Sequence, residues 1–222
     1  MNRQQIKTRI LNAINDNATT PVFFSTAQLN NLVDEGMEVI AENSRAIHRT
    51  AMFALRPGTT FYSLASIASD IMLPVRLWDT TRETRLTALS MQELDKTRAR
   101  WLQSSGTPEV WFPVSWDLFG LYPATSTSGG LVRMDYIAWP RELIDDNDEP
   151  ELPLASHDAL VLYGAYLGLL KKWDSDNAKI MLKALEAHVT FATARSGINK
   201  MSSQITHREV QPGVSFPSDL RQ

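Results

Sequence analysis

The chain has 222 residues, a formal net charge of −3 and no cysteine. Hydrophobic residues make up 43% of the sequence and charged residues 21%, a composition typical of a globular protein. The slight negative charge argues against a dedicated nucleic-acid binder, which is usually basic, and the lack of cysteine excludes disulfides and thiolate chemistry. The start of the chain has no unbroken apolar run, so we expect no signal peptide.

The first 48 residues are predicted to be helical. Isoleucines at helical spacing predict a short first helix that ends near Asp16. Ser25 and Gln28 form a capping box, which opens a second helix. Apolar residues follow it at three- and four-residue spacing: Leu29, Leu32, Val33, Gly36, Ile40 and Ile47. The stripe is narrow, so this helix should be half exposed.

Residues 49–142 change to an alternating apolar and polar pattern, which predicts six or seven short antiparallel strands. Pro57 and Gly58 should form the tight turn of a first hairpin. In the strand over 71–80, Pro74 indicates an edge or a bulge. A second capping box, Ser90 with Glu93, predicts the one helix of this region, over about 90–101. These elements together predict a small β-sandwich or barrel, called here the β-module.

The aromatic stretch 106–136 decides what the β-module presents to solvent. Four of its rings fall in the register that the aliphatic residues mark as core: Phe112, Trp116, Tyr122 and Tyr136. Truncating Trp116 to alanine should then cost about 3–5 kcal/mol. Trp111 and Phe119 fall on the other face, where we expect exposure and contact with a neighbouring subunit or a tail protein. The alternative is that the rings are coplanar on the surface and form a carbohydrate-binding module.

The last helices are predicted over 156–172 and 175–195, after an acidic connector at 144–153. The first is apolar on nearly all sides, and Gly164 and Gly168 should let a neighbouring helix approach closely. Its apolar run is well short of the ~20 residues that cross a bilayer. The second should bury one face: Ile180, Ala184, Ala187, Phe191 and Ala194. An all-round apolar helix must be covered, so we expect 156–195 to pack on 25–48.

The predicted fold class is therefore α+β, a helical bundle with an inserted antiparallel β-module and an extended C-terminal tail. Residues 1–48 supply the N-terminal helices of the bundle, and 49–142 form the β-module. Residues 143–196 hold the acidic connector and the helices that complete the bundle. Residues 197–222 have no apolar period, and we expect this docking tail to be ordered by another chain.

No sequence motif points to catalysis or to a cofactor. The four histidines have no metal-ligand spacing, and no phosphate-binding or dinucleotide-binding motif is present. His157 beside Asp158 leaves a hydrolase as one hypothesis, although a packed structural histidine is the favoured interpretation. The acidic connector suggests either calcium ligands or, with better support, a solvated charged loop that could contact a basic partner. We therefore predict no catalytic, cofactor-binding or metal-binding residue.

The order of several loose motifs resembles the head-to-tail connector (adaptor) proteins of tailed bacteriophages. The segment 89–95 is followed by Gly106-x-Pro108 and then by aromatic residues. A Leu-Tyr-Pro at 121–123 precedes a turn and a strand that ends in Tyr136, and Leu-Pro at 152–153 precedes His157 and the apolar helix. The resemblance covers about residues 25–195.

This resemblance implies a structural virion protein with no catalytic residues. It implies a homo-oligomeric, twelve-fold ring at the neck of the virion, beneath the portal protein and above the tail tube or nozzle. DNA would pass through its channel without sequence-specific binding, and the ring would assemble in the host cytoplasm without contact to a membrane. The C-terminal tails would contact the portal; the tail residues we assign to this contact are Ile205, Arg208, Val214 and Phe216.

Overall fold

The computed structural model describes residues 1–16, 21–98 and 100–195. Within these ranges the protein mixes helices and sheets, and none of the sheets closes on itself. None of the described helices has the length and apolar character needed to cross a membrane. The helices are α1 (Arg3–Ala13), α2 (Thr26–Ser44), α3 (Met91–Thr97), α4 (His157–Lys171) and α5 (Ser175–Arg195).

Capping boxes start three of the helices. The boxes predicted at Ser25 and Ser90 are both confirmed, with the serine hydroxyl accepting from the N–H three residues later at 3.2 Å in each case. The structure adds a third box at Asn2, where α1 begins. Each box satisfies two of the backbone N–H groups that a helix leaves unpaired at its start, so these sequences fix where the helices begin.

The helical bundle is built around α4. Helices α1, α2 and α5 all pack against it, which confirms the expected packing of 156–195 on 25–48. A Cβ on Gly164 would lie 2.4 Å from Ile10 Cδ1 and 2.7 Å from Leu32 Cδ2, far inside van der Waals contact. Glycine at this position is therefore what allows α1 and α2 to approach α4 so closely.

Ten strands form three sheets in the described part of the chain. They are β1 (His48–Ala54), β2 (Phe61–Ser63), β3 (Ile71–Asp79), β4 (Thr84–Arg85), β5 (Thr87–Ala88), β6 (Ser105–Gly106), β7 (Val110–Pro113), β8 (Leu118–Tyr122), β9 (Ala124–Thr125) and β10 (Leu131–Ala138). The first sheet has the order β1-β10-β3-β4, the second β2-β8-β7-β5, and the third pairs β6 with β9. The pairs β5–β7 and β6–β9 are parallel and the other pairs are antiparallel.

The predicted first hairpin is wrong. The turn exists, because Gly58 has φ of +71° and the Thr59 N–H donates to the Arg56 carbonyl at 3.1 Å. However, β1 pairs with β10 and β2 pairs with β8, so the turn carries the chain from one sheet to another. The bulge expected at Pro74 is confirmed, since the register of β3 against β10 shifts where Pro74 lies opposite Tyr136.

One hydrophobic core joins the bundle to both four-stranded sheets. Between the sheets, the ring of Phe53 from the first lies 5.4 Å from Tyr62 and 5.7 Å from Phe119 of the second, measured between centroids. A smaller cluster forms around Phe112 and Trp101, whose rings meet edge to face at 5.1 Å. No barrel forms in the described residues, while the sandwich and the division of the chain into structural units stay predictions.

Candidate functional site

His157 holds the start of α4 in place. Its Nδ1 lies 2.9 Å from the Met1 amino nitrogen, and its Nε2 lies 3.0 Å from the Leu152 carbonyl oxygen. Because an ammonium group only donates, Nδ1 is the acceptor and Nε2–H donates to Leu152. Asp158 does not orient this ring, since its carboxylate accepts from Arg9 at 3.0 Å and is exposed. The structure therefore gives the hydrolase hypothesis no catalytic pair, and His157 acts as a packed structural residue.

The acidic connector holds the start of α1 to the end of the β-module. The carbonyls of Asp148 and Asp146 accept from the N–H groups of Arg3 and Gln4 at 2.9 and 3.0 Å. Asp146 also pairs with Lys7 at 2.5 Å. No group of three or more metal-ligating side chains occurs in the described residues. The calcium interpretation has no geometric support, and the connector is more than a solvated loop because it satisfies the unpaired N–H groups of α1.

Asp70 is the centre of an ion-pair network that ties the first sheet to the connector. Its carboxylate pairs with Arg49 and accepts from the Tyr136 hydroxyl at 3.0 Å, while Arg49 also pairs with Glu151 at 2.5 Å. Burial acts to raise the pKa of Asp70, but the hydrogen bonds from Arg49 and Tyr136 outweigh it and hold the pKa below its ordinary value. The network is structural: it sets the position of β1 relative to residues that lead into α4.

The aromatic stretch is largely internal. Phe112 and Tyr136 are 0% and 4% exposed, as predicted, but Trp116 is 92% exposed, so its assignment to the core is wrong. The reason is the turn at 114–117 between β7 and β8, where the Val114 and Ser115 N–H groups both donate to the Leu118 carbonyl. The alternation of inward and outward side chains does not continue through a turn, so counting it from β7 into 114–117 misplaced Trp116. Ser115 and Asp117, both turn-forming residues, marked this turn in the sequence.

Trp111 and Phe119 are buried, at 6% and 1% exposure, so the expectation that they face solvent is wrong. Beyond the turn three successive residues of β8 are buried, Phe119, Gly120 and Leu121, so alternation does not separate a core face from a solvent face there, and the ring of Phe119 packs beside Phe53. The predicted contact of these two rings with a subunit or a tail protein stays a prediction that their burial does not favour. Trp116 is the one exposed ring of this stretch, whose residues are all described, so the structure lacks the row of exposed rings that a carbohydrate-binding platform needs.

The exposed apolar surface of the hairpin lies at its tip instead. Trp116 borders a shallow depression of about 330 Å³, and Val114 and Leu73 beside it are about 40% exposed. We call Trp116, Val114 and Leu73 the tip patch. Buried side chains stabilise the fold, whereas a tryptophan exposed on a tight turn contributes little to it. Such a patch is typical of a surface that contacts another protein.

A second apolar surface lies along α5. Three residues of the stripe predicted to be buried are exposed, Ile180 (61%), Ala187 and Phe191 (58%), and Ala184 is half-buried. Ala178 and Leu185 are the described residues of α5 that are buried. Leu154, 72% exposed, lies with Phe191 on a groove of about 390 Å³. The predicted face of α5 is therefore wrong. Two apolar stripes share this helix, and periodicity alone does not tell which of them meets α4.

The four residues assigned to portal contact, Ile205, Arg208, Val214 and Phe216, lie outside the described residues. The described ranges therefore hold the bundle, the β-module and the two apolar surfaces, with no residue of the predicted docking tail.

Comparison with protein families identifies the chain. The model of the SU10 adaptor protein family matches residues 1–215, nearly the whole sequence. The chain belongs to the SU10 adaptor protein family. A search of curated proteins found no match. The family match confirms the resemblance to phage connector proteins that the order of the sequence motifs indicated.

Membership of the SU10 adaptor family determines the general role. The family consists of structural phage adaptors, not enzymes, which places the chain in the virion and associates it with portal and tail proteins. The geometry agrees with this role in one respect: the polar networks around His157, Asp70 and the acidic connector all join structural elements to each other.

Proposed function

We propose that the chain is a head–tail adaptor that forms a ring between the phage portal and the tail and surrounds the DNA exit channel. The observation that carries the proposal is the family match over residues 1–215. In the form that the resemblance to connector proteins implies, the ring contains twelve copies, with the portal on one side and the tail tube or nozzle on the other.

The distribution of surfaces supports a ring. Subunits of a ring make heterologous contacts, in which two different surfaces of one chain meet. The tip patch and the apolar stripe of α5 lie on different elements, so one chain offers at least two separate apolar surfaces. A net charge of −3 suits a channel through which DNA slides, because a strongly basic lining would bind phosphates tightly.

We assign portal contact to the C-terminal tail. Its residues 198–222 carry few apolar side chains, with Val214 and Phe216 among them, and a segment of this composition orders on a partner at a cost in affinity. Ile205 and Arg208 are the other residues of this proposed contact.

Removing residues 198–222 tests this assignment. We expect the shortened chain to fold with unchanged circular dichroism and thermal midpoint, because none of these residues belongs to the described bundle or sheets. We expect it to be absent from portal complexes in a pull-down with purified portal rings. The matched control replaces only Ser202 and Ser203 with alanine and should bind normally. A shortened chain that joins the portal as well as the full chain contradicts the role of the tail.

A further inference from the structure

The outer face of the first sheet carries a row of basic side chains around a tryptophan. Arg85, Trp78 and Arg133 are register partners across β4, β3 and β10, so their side chains stand on the same face. Two residues along each strand, and therefore on the same face, Arg76 and Asp135 are register partners, and Arg76 Nε–H donates to the Asp135 carboxylate at 2.7 Å. Three guanidinium groups thus face a single carboxylate, which leaves an excess of positive charge. We call Arg76, Trp78, Arg85 and Arg133 the basic face.

An acidic depression of about 410 Å³ lies where α2 meets the residues that follow β10. Its carboxylates are Asp34, Glu35, Glu38 and Glu142. Arg3 neutralises Asp34 at 2.6 Å, whereas Glu35 only accepts from the neutral Tyr163 hydroxyl. The remaining cation on the rim, Arg141, is already paired with Glu151 at 3.6 Å.

Negative charge is crowded in this depression. Burial raises the pKa of Asp34, Arg3 opposes the shift, and the nearby Glu142 adds to it. Glu35, Glu38 and Glu142 are exposed, and Glu38 and Glu142 have no ion-pair partner among the described residues, so a second protein would meet these carboxylates first. A cationic surface placed here would relieve the repulsion between these groups.

The two charged surfaces are held apart within one chain. Arg133 lies near the start of β10, and Glu142 follows its end at Ala138. The strand from Arg133 to Ala138 alone spans about 16 Å at roughly 3.3 Å per residue. Charges in water are screened over about 8–10 Å at ordinary salt. Among the described residues no ion pair joins the basic face to the acidic depression within one subunit.

We propose that the basic face of one copy docks against the acidic depression of a second copy, head to tail. The inference rests on the proposed ring and names the surfaces that build it. Repeating one such heterologous contact around an axis closes a ring. Complementary charge fixes which surfaces meet, and Trp78 among the arginines supplies the aromatic and guanidinium groups that are enriched at interfaces.

Nucleic acid fits the basic face less well. Asp135 lies in the middle of the arginines, paired with Arg76 and within 3.3 Å of Arg133, and a carboxylate at this position repels phosphate. The chain as a whole also carries a net charge of −3. The arrangement suits a partner with several separate negative charges that can approach the arginines around this carboxylate. The four carboxylates of the depression are such a set.

The natural absence of cysteine makes the contact directly testable by crosslinking. The full-length chain is prepared with two cysteines at uncharged positions, Met52→Cys opposite Arg133 on the same face of the sheet and Asn31→Cys on the rim of the depression, so that no charge of the contact is lost. It is treated at low salt with a bismaleimide crosslinker. A head-to-tail contact gives a ladder of covalent multimers on a denaturing gel. Each single-cysteine chain alone stays monomeric, and a mixture of the two single-cysteine chains stops at dimers. The matched control combines Asn31→Cys with Lys96→Cys, an exposed position on α3, and gives no ladder.

Two results of this experiment overturn the proposal. If the double-cysteine chain stays monomeric at high protein concentration and low salt, the two surfaces do not meet. If a single-cysteine chain crosslinks to itself as efficiently as the mixture, the contact is isologous and not head to tail.

Charge reversal tests the electrostatic part. In sedimentation velocity at low salt, Arg85→Glu should weaken self-association about tenfold, Glu38→Arg likewise, and the double variant should recover most of the loss. Lys96→Glu, at an exposed position on α3, should have no effect. Equal self-association of all variants overturns the proposal, as does duplex DNA binding by the wild type that Arg85→Glu abolishes.

Portal binding, measured on the same variants, separates this inference from the proposed function. A chain that joins portal rings normally, yet fails the crosslinking test, keeps the adaptor role and refutes only the assigned surfaces. A double-cysteine chain that forms the ladder, when neither it nor the wild type joins a portal, supports the surfaces and contradicts the adaptor role.

Discussion

The interior of the bundle and the tip of the β7–β8 hairpin use large and small residues in opposite ways. In the bundle the smallest residue, Gly164, is fixed because a Cβ would lie 2.4 Å from Ile10. At the tip the largest residue, Trp116, is 92% exposed. Side-chain size therefore does not say where the core is. Contacts between elements of the chain determine the bundle, whereas nothing in the described subunit covers the ring at the tip.

The largest effect is expected in the bundle. Ile10→Ala should lower the free energy of unfolding by about 2–5 kcal/mol, because Ile10 is fully buried against Gly164 and its removal leaves a cavity. Urea denaturation followed by circular dichroism measures the loss. The control is Ile144→Ala, the same truncation at an isoleucine that is 86% exposed, which should change stability by less than about 0.5 kcal/mol. Equal losses for the two variants would contradict the described packing.

An intermediate effect is expected at Asp70. This residue lies neither in the bundle interior nor at the hairpin tip, but in the ion-pair network between the first sheet and the connector. Asp70→Asn should cost about 1–3 kcal/mol near neutral pH, because it removes a charged partner of Arg49 and Tyr136. The pKa of Asp70 is lowered in the folded protein, so its contribution is present above its ordinary pKa of 3.8 and is lost as the pH falls through the folded value.

The pH series makes this prediction specific. Denaturation of the wild type and of Asp70→Asn should give a stability difference that is full at about pH 7 and shrinks as the pH falls below the ordinary pKa of 3.8. It should be lost only below the lowered pKa of the folded protein, where Asp70 is protonated in both folded and unfolded states. A difference that stays constant over this range would mean that the asparagine acts through packing and not through the lost charge.

The smallest effect on stability is expected at the hairpin tip. Trp116→Ala should change the free energy of unfolding by less than about 0.5 kcal/mol, in place of the 3–5 kcal/mol that a core position would cost. Trp101→Ala is the control, since Trp101 is 5% exposed and donates to Asp95 at 2.6 Å. A loss of several kcal/mol at Trp116 would mean that the ring is covered in the isolated subunit.

The difference between the two regions also explains what the sequence could predict. Capping boxes at Ser25 and Ser90 located helix starts correctly, because a cap depends on residues only three positions apart. The close approach at Gly164 was also predictable, because a helix that is apolar on all sides has to be covered by neighbouring helices and a glycine lets them come close. The position of Trp116 was missed because alternation was counted through the turn at 114–117, which the turn-forming residues Ser115 and Asp117 mark in the sequence.

The sequence also did not predict which strands pair with each other and which face of a helix packs inward. The turn at Gly58 was predicted, but strand pairing is decided by long-range packing, and β1 pairs with the distant β10. The outward stripe of α5 was mistaken for the inner one because both stripes are apolar. The basic face was missed because Arg85, Trp78 and Arg133 are far apart in the chain and meet only through register.

The central claim is that this chain joins the phage portal as a ring, and the mass of the complex tests it most directly. Purified full-length chain is mixed with rings of the portal protein from the same phage, and the particle is weighed by native mass spectrometry. The account predicts a single species whose mass equals the portal ring plus twelve copies of the chain. A portal ring of unchanged mass in the presence of excess chain would contradict it.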